Sequence, residues 1–252
     1  MKINQLLQLL RDNAKNAVDG APAIRTEATD TEAHVYVYDV IDAWWGASAE
    51  ALIKALADAG DRQVHLHINS PGGDVFEARA MAAAIVAHPG NVIAHIDGLA
   101  ASAATYLALA GNEVRMTDGG LFMIHNSWTL GYGDKTELRK TADLLDKIDG
   151  TILSDYARRT GATSDQVKTW MDAETWFNPQ EALDAKFIDA IEPNTKRDAA
   201  AQAQASAARW NLSAYAKAPK LAPPQEDEAE TAARVAAQLT HNRNRLKALH
   251  VI

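Results

Sequence analysis

A single serine stands among small residues in Asp97-Gly98-Leu99-Ala100-Ala101-Ser102-Ala103-Ala104-Thr105-Tyr106, where an apolar run reaches a glycine and a helical pattern begins. A hydroxyl at a helix N-terminus has free backbone N–H groups and the positive end of the helix dipole beside it, which favour a developing oxyanion. The N–H of Ala103 is then a natural donor. A second can come from Ser70-Pro71-Gly72-Gly73, because glycine lets backbone approach a substrate with no Cβ in the way. Serine attacks only when a base removes its proton, and His125 is the histidine best placed for this. It ends the apolar strand Leu121-Phe122-Met123-Ile124 and precedes a glycine-bearing segment, Leu130-Gly131-Tyr132-Gly133-Asp134. Each feature also has a plainer reading: close helix packing for the small residues, a common turn for Ser-Pro-Gly-Gly, and a satisfied surface group for the histidine.

The elements that must position these residues alternate strand and helix. His34 to Ile41 reads as a strand from its β-branched and aromatic content. Ser48 caps a helix over 49–59 that Gly60 stops. A strand over 64–69 runs through the glycine turn into a helix from about Val75 to Ala87. A third strand, 92–96, delivers the chain to Gly98, and a helix is expected from Ser102 to Ala110. Strands near 113–116 and 121–126 follow. Then comes a long helix from Lys135 to Arg159, with Leu138, Ala142, Leu145, Ile148, Ile152 and Tyr156 at spacings of three and four. Gly150 within it costs about 1 kcal/mol relative to alanine. A short helix from Ser164 to Met171 and a helix-and-strand unit to Ile191 complete an α/β chain. His65 and His67 share one strand face, but no third ligand stands at a recognisable spacing, so no metal is expected. No cofactor is called for.

Three segments follow from composition: an N-terminal helical arm and polar link over 1–33, a compact domain over 34–193, and an Ala-rich linker with a C-terminal helical tail over 194–252. The 252 residues contain no cysteine, which excludes cysteine nucleophiles and cysteine zinc sites. The formal net charge of -8 argues against a nucleic-acid partner. No apolar run is long enough for a bilayer, and 1–18 lacks a secretory pattern, so a soluble, cytoplasmic protein is expected.

Taken together, Ile68-Asn69-Ser70-Pro71-Gly72-Gly73, Gly98-Leu99-Ala100-Ala101-Ser102-Ala103 and Met123-Ile124-His125-Asn126 resemble, in order and spacing, the signature stretches of the Clp protease proteolytic subunit family. The resemblance spans about 34–192 and is nearest to the phage head maturation (prohead) branch. Asp42-Ala43-Trp44-Trp45-Gly46, Asp74 after the glycine pair, and Asp172-Ala173-Glu174-Thr175-Trp176 carry that part of it.

The resemblance implies the Clp protease/crotonase-like superhelix of stacked ββα turns, with 135–159 as a protruding handle that pairs rings. It implies a serine endopeptidase with Ser102 as nucleophile, His125 as general base, and the N–H groups of Gly73 and Ala103 as oxyanion hole. Glu174 falls where the family has an orienting aspartate, with Asp172 as the alternative. Gly72, Asp74, Asn126 and Gly131 are expected to bind substrate, the Gly131/Gly133 segment as an edge strand that takes extended peptide. The implied partners are a homo-oligomeric ring and, as substrates, phage capsid and scaffold proteins, in the host cytoplasm or inside the procapsid. A subunit fed by an unfoldase ATPase is the alternative. Outside the peptidases, an acyl-CoA hydratase or isomerase on the same fold, or a non-catalytic assembly protein, would use the same framework without the serine.

Overall fold

The computed structural model describes residue 13, residues 23–193, residue 207 and residues 209–220. The chain divides into units 1–222 and 223–252, and all described residues lie in the first. The helices expected over 3–17 (Asn13 apart) and 226–249 lie outside the described residues.

The architecture is mixed α/β, as expected. Strands β1 (Ile24–Ala28), β2 (Glu32–Val37), β3 (Gln63–Ser70), β4 (Val92–Ala101), β5 (Glu113–Thr117) and β8 (Ala190–Glu192) lie in that order in one sheet, with β6 (Leu121–Ile124) paired to β4 and β7 (Thr175–Phe177) to β6. The β2–β3, β3–β4, β4–β5, β4–β6 and β5–β8 pairings are parallel; β1–β2 and β6–β7 are antiparallel. Parallel neighbours need crossovers, and α1 (Ala49–Ala59), α2 (Val75–Ala87) and α3 (Ala104–Leu109) supply them. The first two have side-chain caps. The Ser48 side chain accepts from Ala51 N–H, and Asp74 accepts from the N–H groups of Phe76 and Glu77.

Strand β4 organises the sheet. It is buried along nearly its whole length, as befits a strand packed on both faces, and it changes neighbour part-way. Ile93–Ile96 pair with β5, whereas Leu99–Ala101 pair with β6. The strand therefore runs five residues beyond the expected end at Ile96 and reaches the residue before Ser102. This is the main difference from the expected helix at Ser102: the helix begins at Ala104, and Ser102 occupies the turn between the two elements.

Three further differences concern edges. The polar link expected up to Glu32 contains β1, whose burial pattern leaves only Ile24 inside, so its alternation carries no strand signal. Strand β2 ends at Val37, not Ile41; Ile41 instead forms isolated bridges to Ala47 and Gly73. The compact domain also does not end at Pro193, because Trp210, Leu212 and Tyr215 are buried against Leu99, Ala101 and Met123.

Helix α4 (Lys135–Thr160) has 26 residues, about 39 Å at 1.5 Å per residue. Its buried residues, Ile152, Tyr156 and Thr160, all lie in its last third, so the first part projects as the handle expected. Asp134 caps its start and Gly161, at φ 72°, ends it in the left-handed conformation. Helices α5 (Ser164–Asp172) and α6 (Pro179–Asp184) bracket β7. Among the described residues no helix is long and apolar enough to cross a membrane.

Candidate active site

Two backbone turns meet at the C-terminal ends of β3 and β4. In the first, Gly72 and Gly73 take φ values of 91° and 151°, which side-chain-bearing residues rarely adopt. The turn is clamped by Ile41, whose N–H donates to Gly72 O at 2.9 Å and whose carbonyl accepts from Asp74 N–H at 2.8 Å. A Cβ on Gly72 would lie 2.9 Å from Ser102 Cβ and 3.0 Å from Ala103 N, so the two turns touch.

In the second turn Ser102 itself takes φ 54°, a costly conformation for a residue other than glycine, and one that concentrates at functional positions. It is held there by its own N–H donating to Met123 O at 2.9 Å and by its carbonyl accepting from Thr105 N–H and Oγ1 at 3.0 and 2.7 Å. Thr105 is in turn fixed by Tyr156 of α4, with 2.6 Å between their hydroxyls. Among the described residues, the hydrogen bonds of these turns employ the amides of Gly72, Asp74 and Ser102 but not those of Gly73 or Ala103.

His125 follows β6, and its Nε2 lies 2.7 Å from Ser102 Oγ. With the ring neutral, the hydroxyl donates and Nε2 accepts, the arrangement a general base needs. Burial lowers the His125 pKa to about 4, opposed by the negative charge of Glu174, so the ring is neutral near pH 7. Its accessible surface is only partly covered, and the lowering comes from lost hydration inside the packed site.

The unfolded histidine, near 6.5, binds its proton first as pH falls, so the stability gained by burying a neutral ring is complete above about 6.5 and is lost progressively toward 4. The loss amounts to about 3 to 4 kcal/mol at most, at about 1.4 kcal/mol per pKa unit. Urea unfolding at pH 7, 5.5 and 4.5 should show the wild type weakening more steeply than His125→Asn; parallel pH profiles would remove this assignment.

The two candidate carboxylates are occupied by other partners. Glu174, at φ 49°, accepts from the N–H groups of Ala216 at 2.8 Å and Lys217 at 2.6 Å and from the Trp176 indole at 3.2 Å. Asp172 is exposed, accepts from Asn126 Nδ2 at 2.9 Å and pairs with Lys168 at 2.7 Å, and the Lys168 bond, followed by the Asn126 one, holds its pKa below the ordinary carboxylate range. Among the described residues no hydrogen bond joins either carboxylate to His125.

Of the expected substrate-binding residues, Gly72 lies against Ser102, whereas Asp74 is committed to capping α2 and Asn126 to Asp172. Gly131 lies in a stretch, 125–134, that forms no strand and is exposed from Thr129 onward. The edge strand expected there does not form within this chain.

The histidines of the sheet make no comparable site. His65 Nδ1 and His95 Nε2 are 2.9 Å apart, His67 Nδ1 lies 2.8 Å from Asp97, and His95 Nδ1 lies 2.8 Å from Glu192. Their ring nitrogens are used on one another and on these carboxylates, and no group of three ligands converges as a metal site among the described residues.

Two neighbours of the pair carry little signal in the sequence: Trp210 and Tyr215. The Trp210 indole donates to Asn69 Oδ1 at 3.1 Å, and the Tyr215 ring stands edge-on to His125 with centroids 5.4 Å apart. Their only signal is two large aromatic residues in an otherwise Ala-, Lys- and Pro-rich stretch.

Residues 25–195 match the family model described as Clp protease. The chain belongs to the Clp protease family. It is 30% identical over 145 residues to ATP-dependent Clp protease proteolytic subunit 1 of Leifsonia xyli, covering 57% of this chain and 74% of that one. It is 28% identical over 189 residues to the subunit 1 protein of Protochlamydia amoebophila, covering 71% and 90%. A third relative, subunit 2 of Thermobifida fusca, is 31% identical over 147 residues, covering 57% and 72%. The Clp protease match contains both turns, β6 with His125, and Glu174, and stops before Trp210 and Tyr215.

Proposed function

We propose that this Clp protease family member is a serine endopeptidase working through Ser102 and His125, and the 2.7 Å approach of His125 Nε2 to Ser102 Oγ carries the reading. His125 takes the hydroxyl proton as Oγ attacks the scissile carbonyl, and the oxyanion that forms is held by the amides of Gly73 and Ala103. The imidazolium returns its proton to the leaving amine, which departs as the C–N bond breaks. Water then repeats the sequence on the acyl-enzyme and releases the acid. Glu174 is the orienting carboxylate and stabilises the imidazolium; Asp172, tied to Asn126 and Lys168, is the weaker choice. Main-chain pairing along Gly72 suits an extended, sequence-tolerant substrate.

The biological setting proposed is phage head maturation, with capsid and scaffold proteins cut by a homo-oligomeric ring in the host cytoplasm or procapsid. The Trp44-Trp45 and Asp172–Trp176 stretches support it. Exposed Leu138 and Leu144 on the handle, and Trp44 at 88% exposure, offer apolar surface for neighbouring subunits. The second reading, a subunit fed by an unfoldase ATPase, is favoured by the relatives named ATP-dependent proteolytic subunits.

Co-expression of the full chain with a capsid or scaffold protein, read by intact mass, tests both. Cleavage by wild type and not by Ser102→Ala is the expected result. Identical uncut products would sink the maturation reading, and cleavage that appears only with an unfoldase and ATP would favour the second.

A further inference from the structure

The segment 209–220 lies on the catalytic pair. Trp210, Leu212 and Tyr215 are 7%, 8% and 7% exposed and form one apolar cluster with Leu99, Ala101 and Met123, flanked by Trp176. These partners come from the end of β4, from β6 and from β7, the elements that carry Ser102, His125 and Glu174. The polar anchors fall on the same machinery. Trp210 Nε1 donates to Asn69, the Tyr215 hydroxyl donates to Pro71 O at 2.5 Å, and the amides of Ala216 and Lys217 donate to Glu174. A reciprocal pair of bonds, Asn13 Nδ2 to Asn211 O at 3.1 Å and Asn211 N to Asn13 Oδ1 at 2.7 Å, holds the start of the segment. Burial pushes the Tyr215 phenol well above its ordinary range, with the neighbouring Ser102 hydroxyl opposing, so the neutral hydroxyl sits beside the nucleophile.

We propose that residues 209–220 are an internal strap that occupies the substrate side of the Ser102–His125 pair and holds the peptidase inactive until it is displaced or cut. The inference rests on the peptidase reading of that pair.

Two physical consequences make the strap inhibitory. The Tyr215 ring fills the apolar space beside Ser102 and His125 that a substrate side chain would need. The strap's amides also take Glu174, so the carboxylate that would orient His125 is spent on two N–H donors. Both effects vanish together when the strap leaves, which makes the site two-state: closed with Glu174 capped, or open with Glu174 free. The occupant that competes best is an extended peptide presenting an aromatic side chain to the pocket of Leu99, Ala101, Met123 and Trp176. Affinity for it is reduced by the fraction of molecules that are open.

Full-length wild type, Trp210→Ala/Tyr215→Ala and Ala216→Pro are compared by the rate of fluorophosphonate labelling and by amide hydrogen exchange, with Ser102→Ala as the blank. Ala216 is exposed, so its proline variant removes one donor to Glu174 without opening the core. If the strap closes at least nine molecules in ten, both variants label about tenfold faster or more. The amides of Ala216 and Lys217 are protected in wild type, and in the double variant Lys217 loses protection while β4 keeps its own. Unprotected 216 and 217 amides in wild type overturn the docking. Equal labelling of wild type and both variants, with β4 still protected, overturns inhibition and leaves the peptidase reading standing. No labelling once exchange shows the strap released overturns the peptidase reading and the strap's role with it.

Discussion

Turnover of an unfolded protein substrate should fall by about 10⁴- to 10⁶-fold when Ser102 becomes alanine, leaving the residual rate that the oxyanion hole and binding supply. His125→Ala should cost as much, and the double variant no more than either alone, because nucleophile and base act as one unit across a 2.7 Å hydrogen bond. Glu174→Gln should cost less, about 10⁴-fold at most, since the nucleophile, the base and both oxyanion donors survive. Its effect should depend on the strap: small where Ala216 and Lys217 already occupy the carboxylate, larger in Trp210→Ala/Tyr215→Ala. Peptide hydrolysis across these variants in the full chain, with melting temperatures to confirm folding, checks the series. A Ser102→Ala protein that keeps its peptide hydrolysis would remove Ser102 as the nucleophile.

What could be read in advance divides along physical lines. Ser102, His125 and the glycine pair were legible because each chemistry imposes a residue type: a hydroxyl, an imidazole, and two positions with no Cβ. Helix α1 was legible to the residue because Ser48 caps it and Gly60 stops it, and α2 was placed by the glycine turn that precedes it. The positive φ of Ser102 was not, since no local preference puts serine there; β4 pairing with β6 up to Ala101 and the bond from Ser102 N–H to Met123 O impose it. Short strands such as β1 and β7 are defined by what they pair with rather than by alternation. The strap was hidden for the same reason. Trp210, Leu212 and Tyr215 follow neither helix nor strand periodicity, and their burial depends on a surface assembled from three distant parts of the chain. Glu174 shows the limit most clearly, because its place in the sequence was readable while its present partners belong to a segment more than forty residues away.

Gly73→Ala should lose both stability and turnover, and comparison with Gly150→Ala shows why position decides. A Cβ on Gly73 would stand 2.0 Å from Ile41 O, the acceptor that clamps the turn through Asp74 N–H, and φ 151° would strain any side chain whatever the space. The turn must shift to relieve the clash, and the Gly73 amide shifts with it. We expect about 3 kcal/mol of lost stability, at the upper end for single substitutions. Turnover should fall a further 10²- to 10³-fold or so among the molecules still folded, the usual cost of one oxyanion donor. Gly150 lies mid-way along α4, and a Cβ there meets nothing within 4 Å. Gly150→Ala should therefore gain about 1 kcal/mol from the lower entropy cost of alanine in a helix, with turnover unchanged. Urea denaturation and peptide hydrolysis on the two variants separate the cases. If Gly73→Ala lost stability but kept full turnover per folded molecule, the Gly73 amide would not be an oxyanion donor, and Ala103 would have to act without it.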